Sequence, residues 1–112
     1  MNNILELSYE EKIYIAQDPK TTSKTLEILS TDKSILIRGV VADNPNTTQE
    51  TLNVLAKDKD SYVRCHVARN RNISKELLEQ FFDDGDDFVR RFAAKNPNTT
   101  EIMRRLLLMK ND

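Results

Sequence analysis

Ala42-Asp43-Asn44-Pro45-Asn46-Thr47, followed by Leu52, Leu55, Asp58, Val63-Arg64 and Val67-Ala68, is the stretch from which the organisation of this chain is read. Its features return at intervals of 26 residues on either side. Ala16, Ala42, Ala68 and Ala94 form one column. Asp18, Asn44, Asn70 and Asn96 form another, followed by Pro19, Pro45, Arg71 and Pro97. Leu26, Leu52 and Leu78 keep step, as do Leu29, Leu55, Phe81 and Leu107. Asp32, Asp58 and Asp84 stand ahead of Arg38, Arg64 and Arg90, with Lys12 in the arginine column of the first unit. A fixed period of this length, with no insertion, is the signature of stacked supersecondary units.

Each unit divides into two amphipathic pieces. The A segments are 22–31, 48–57, 74–83 and 100–109, and the B segments are 9–17, 35–43, 61–69 and 87–95. In the second A segment, Leu52, Leu55 and Ala56 follow the i, i+3, i+4 spacing of a helix. Thr47 with Glu50 three residues on reads as a capping box, and Thr21, Ser74 and Thr99 stand near the same place. In the third B segment the same periodicity predicts burial of Tyr62, Val63, His66 and Val67, with Asp60 or Ser61 as N-cap. The Asn-Pro pairs end B segments, because a residue before proline is driven out of the α region. Helices of about nine residues are marginal alone. Stacked, each covers its neighbour's apolar face, and the repeating alanines let successive helices approach closely.

The assembled pattern of Ala-x-Asn-Pro-x-Thr, two leucines, Asp, Val-Arg and Val-Ala resembles the variant leucine-rich repeat, a bacterial relative of HEAT-type helical repeats. The resemblance runs over roughly residues 9–109. It implies an all-α fold, a right-handed α-solenoid of four 26-residue two-helix repeats, in which the A segments can be 3-10-like. Units of about 9–34, 35–60, 61–86 and 87–112 then form a single domain, with 1–8 as an N-terminal cap. Members with an iron–sulfur cluster carry it on cysteines of a separate domain, which is absent here, so no cofactor is expected. Most members are interpreted as interaction scaffolds. Arg71 in place of Pro, Ile73 in place of Thr and Gly39 inside a B helix depart from the pattern.

Composition narrows the function classes. Ile, Leu, Val and Phe exceed a quarter of the 112 residues, above the level at which disorder is expected. There are 17 basic against 18 acidic residues, a net charge of −1, which argues against gripping nucleic acid by bulk charge. No apolar run approaches the ~18 residues of a membrane span, and Met1 to Glu6 lacks the pattern of a secretory signal. A cytoplasmic location is expected. The single cysteine, Cys65, excludes an internal disulfide and a multi-cysteine metal site. No phosphate loop, paired metal-ligand motif or nucleophile elbow is present, so no enzyme is expected.

Several groups of residues remain. Asp32, Arg38, Asp58, Arg64, Asp84 and Arg90 read as a structural ladder. Each Arg leans toward the start of its helix, where its planar fork can meet its own and a neighbour's aspartate. His66 shares a column with Val40 and Phe92 and reads as a packed residue, while Cys65, with Gly39 and Arg91, reads as outward-facing and accessible. The columns 35/61/87, 38/64/90, 39/65/91 and 43/69/95 form the predicted exposed face of the B helices, with no aromatic residue for base stacking. The resemblance makes that face the groove of the solenoid. It points to a non-enzymatic scaffold binding an unidentified, acidic protein or peptide through Arg69, Arg91, Lys95, Asp43 and Cys65. The alternative is a nucleic-acid-binding helical repeat using the same basic column. The acidic turn Asp83-Asp84-Gly85-Asp86-Asp87 reads as a solvated helix start, without the spacing of an EF-hand loop. Leu108 and Met109, surplus to one buried face, either fold back over the last B helix or support weak self-association.

Overall fold

A computed structural model describes residues 3–109 of the chain. A short 3-10 turn, Ile4–Glu6, precedes eight α-helices: α1 (Tyr9–Gln17), α2 (Ser23–Leu29), α3 (Ile35–Asp43), α4 (Gln49–Leu55), α5 (Ser61–Ala68), α6 (Lys75–Glu79), α7 (Asp87–Lys95) and α8 (Glu101–Met109). The B segments are α1, α3, α5 and α7, and the A segments are α2, α4, α6 and α8. Residues 1–2 of the expected cap and 110–112 of the expected last unit lie outside the described residues.

Side-chain caps set the helix starts. Ser8, Thr22, Ser34, Thr48, Asp60, Ser74 and Asp86 each accept a hydrogen bond from a first-turn N–H, and Thr100 accepts from Met103. These bonds satisfy donors that a short helix leaves open. The predicted capping box at Thr47 is corrected by one residue, since Thr48 is the cap. Thr47 is instead buried and donates to the Val41 carbonyl at 2.6 Å, as Thr21 does to Ile15. A reciprocal capping box does form at Ser8 and Glu11. Asp18, Asn44 and Asn96 take extended conformations ahead of their prolines and end α1, α3 and α7. The expected 3-10 character of the A segments is found only at Gln80–Asp83, which continues α6 and places Phe81 in the core.

The described residues form an elongated all-α body of 49 × 22 × 18 Å. B helices stack in order, α1 on α3, α3 on α5 and α5 on α7, while α8 packs on α7. Helices α2 and α4 pack on the B helices beside them, and the 3-10 turn that continues α6 packs on α7. Ile37, Val41, Leu52, Leu55, Val63, Val67, Leu78, Val89 and Leu107 fill one continuous interior. Ala16, Ala42, Ala68 and Ala94 are all buried. A larger side chain there has no room, so Ala68→Leu is expected to cost roughly 1–3 kcal/mol by overpacking. A lowered urea midpoint with unchanged helical circular dichroism would show it.

Candidate functional site

Two sets of buried polar bonds fix the B helices relative to one another. In the first, Arg38 Nε and Nη2 reach Asp58 at 2.7 and 3.3 Å, while Nη1 donates to the Asp32 carbonyl at 2.9 Å. Arg64 repeats this with Asp84, at 2.9 and 3.2 Å, and with the Asp58 carbonyl at 2.8 Å. Lys12 bonds Asp32 at 2.6 Å and the Leu5 carbonyl, and Arg90 donates to the Asp84 carbonyl. Arg38 and Arg64 thus take the carboxylate of the aspartate that follows them and only the carbonyl of the one that precedes them, where two carboxylates were expected. The column 38/64/90 is correspondingly half-buried to buried and does not belong to the outward face.

Burial alone would push the Asp32 and Asp58 carboxyls up. Their bonds from Lys12 and the Ser34 N–H, and from Arg38 and the Asp60 N–H, outweigh it and hold both below the usual carboxylate range. Asp84, bonded to Arg64, raises the guanidinium pKa against the opposing effect of burial.

The second set was not anticipated. Buried Asn44, Asn70 and Asn96 each donate through Nδ2 to two carbonyls of the preceding unit. Their acceptors are Ala16 and Asp18, Ala42 and Asn44, and Ala68 and Asn70, at 2.7–3.3 Å. Their Oδ1 atoms accept from Asn46, Asn72 and Asn98 N–H. The side chains of those three asparagines then bond Pro19, Pro45 and Arg71 carbonyls. The first unit carries Asp18 and Lys20 in these columns, and among the described residues no earlier carbonyls lie beneath them. At the other end, Arg104 stands in the column of Leu26, Leu52 and Leu78, and its Nε donates to the Ala94 carbonyl at 2.8 Å. It does there what the next asparagine does for Ala16, Ala42 and Ala68.

This framework presents an outward face different from the expected one. Column 10/36/62/88 is exposed: Glu10, Leu36, Tyr62 and Phe88, with Phe88 64% accessible. Beside it run Tyr14, 70% accessible, and half-buried Val40, His66 and Phe92. The predicted burial of Tyr62 is therefore corrected, and so is the supposed absence of aromatic residues, while the His66 side chain is packed as expected, 15% exposed against the Tyr62 ring. Glu10 in the same column was the available signal. Between α5 and α7, Tyr62, Cys65, His66, Arg69, Phe88 and Phe92 line a hollow of about 380 Å³. The His66 ring meets Tyr62 edge-on at 4.5 Å between centroids, and its Nδ1 lies 2.7 Å from Asp43 Oδ2. Asp43 also faces Arg69, at 3.5 Å.

The five expected contact residues do not share one groove. Asp43, Cys65 and Arg69 gather around the α5 hollow. Arg91 and Lys95 line a separate one with Ala94, Arg104 and Leu108. Column 39/65/91 explains the split. A side chain at Gly39 would meet the Tyr62 ring at 2.7 Å, so this position must be small beneath that ring. Arg91 stands in the same column at the end of the described stack. Cys65 is half-buried rather than freely accessible. Burial and the charges of Asp86 and Asp84 push its thiol up to about 11, which leaves little nucleophilic thiolate at neutral pH. Leu108 and Met109 remain largely exposed.

Among the described residues no group of His, Cys, Asp and Glu side chains is placed to hold a metal ion, and no helix is long and apolar enough to cross a membrane. Comparison with protein-family models, curated proteins and solved structures found no match.

Proposed function

We propose that this chain is a non-enzymatic binding scaffold: a right-handed solenoid of four two-helix repeats, of the variant leucine-rich-repeat kind, that holds a protein or peptide segment on its B-helix face. The observation that carries the reading is the row Leu36, Tyr62 and Phe88, exposed side by side on a rigidly bonded stack. Large apolar side chains on a polar-rimmed surface are the usual mark of a docking site. Arg69 and His66 beside the hollow suit a partner that sets a carboxylate next to an apolar anchor. Asp43 is their present partner.

Phe88 packs little in the free chain, so Phe88→Ser is expected to change stability by less than about 0.5 kcal/mol. In peptides selected from a display library against the intact chain, it is expected to weaken binding roughly tenfold or more. Selected peptides that bind Phe88→Ser and Tyr62→Ser as well as the parent would remove this face from consideration.

The aromatic side chains also favour a second reading, single-stranded nucleic acid stacked on Tyr62, Phe88 and Phe92. Asp43, Asp86 and Asp87 on or beside the same surface oppose it. Phosphate binding would weaken steeply with salt, whereas an apolar peptide anchor would respond little.

A further inference from the structure

The two ends of the stack carry opposite chemistry. In α1, Glu11 and Ile15 stand in the columns of Ile37, Val63 and Val89 and of Val41, Val67 and Ala93, all of which are fully buried. Here Glu11 is exposed and Ile15 half-buried, because no earlier B helix lies on them among the described residues. With Leu7, Glu10 and Tyr14 they line a hollow of about 330 Å³, two carboxylates around an apolar floor. At the far end Arg91, Lys95 and Arg104 surround Ala94 and Leu108 in a hollow of about 420 Å³. One end face is acidic and the other basic, and both have apolar centres.

The chain's own junctions show what these columns do when they meet. Gly39 lies under Tyr62 and His66, and Asp43 meets His66 and Arg69. Arg91 and Lys95 occupy the columns of Gly39 and Asp43. Glu10, Tyr14 and Gln17 occupy those of Tyr62, His66 and Arg69. A second α1 set on α7 as α5 is set on α3 brings Arg91 against Glu10 and Tyr14, and Lys95 against Tyr14 and Gln17. The Arg91 pair with Asp87, at 3.1 Å, is an exposed one of small worth and does not hold Arg91 back.

We propose that copies of this chain associate head to tail, the acidic α1 end of one seating on the basic α7–α8 end of the next. Ile4 and Leu5 fall in the same columns as Leu108 and Met109, so the A layers cannot continue in register across the junction. The contact is carried by α7 on α1. Such a contact is heterologous and does not close at a dimer.

Sedimentation velocity of the intact chain over a range of concentrations, at roughly 20 and 500 mM salt, tests this. Species larger than a dimer are expected at low salt, with association at least tenfold weaker at high salt. Two variants sharpen the test. Glu10→Lys with Glu11→Gln reverses one end while keeping an acceptor for the Ser8 capping box, and Arg91→Glu with Lys95→Glu reverses the other. Each alone, folded by circular dichroism, is expected to be monomeric, and an equimolar mixture of the two is expected to associate. A parent chain that stays monomeric at low salt would overturn the proposal. So would assembly that survives either reversal, or a mixture that fails to assemble.

Discussion

Asn70→Ala is expected to remove roughly 3–5 kcal/mol of stability, a large part of the 5–15 kcal/mol typical of a domain. The residue is 4% exposed and its side chain makes three bonds: to the carbonyls of Ala42 and Asn44 and from the N–H of Asn72. Alanine leaves two buried carbonyls of the preceding unit without that donor, and each such group costs about 1–3 kcal/mol. Asn72 provides the control, because its amide bonds the Pro45 carbonyl at an exposed site. Asn72→Ala is expected to cost less than about 1 kcal/mol. Urea unfolding of the two variants measures the difference. Equal losses would show that the inner asparagines merely follow the fold.

Arg64→Met comes second, with an expected loss of about 2–4 kcal/mol. It leaves the Asp84 carboxylate and the Asp58 carbonyl without their guanidinium partner. Breaking a largely buried ion pair from one side is more damaging than removing both members. The double variant Arg64→Met/Asp84→Asn should therefore recover part of the loss, a positive coupling that a double-mutant cycle reads directly. An unchanged melting temperature for Arg64→Met would count against the ladder. The same bonds predict a pH dependence. Asp32 and Asp58 titrate lower in the folded chain than in the unfolded one. Their contribution is complete above the ordinary carboxylate range and is lost as the pH falls through the lowered native values. The urea midpoint should drop between about pH 5 and pH 3. Arg38→Met, which strips Asp58 of its partner, should flatten that drop.

Much of the architecture was legible because periodicity records it redundantly. The B helices α1 and α3 begin and end where the spacing puts them, and the alanine column is buried throughout. The Asp and Arg columns announced a ladder, though not that Arg38 and Arg64 would skip the preceding carboxylate for the following one. The candidate face was read less well. One position around a short helix is about 100°, and the stripe of large residues is wide enough that Tyr62 fits either side of the boundary. The asparagine columns were visible as letters but read only as helix stops, since a buried amide and a turn amide look alike in sequence.

The sequence by itself determined the helix pairs, their 26-residue period and the apolar stripe that each must bury, because those are local properties of spacing and capping. The tertiary structure alone decided which member of a column meets a neighbour and which meets water. Gly39 is covered by Tyr62, while Arg91 in the same column lies open. Asn44 finds two carbonyls beneath it, whereas the Asp18 carboxylate accepts from the Lys20 N–H of its own turn. The physical reason is that stacking gives equivalent residues inequivalent surroundings according to their place in the stack, and no residue's own chemistry carries that information.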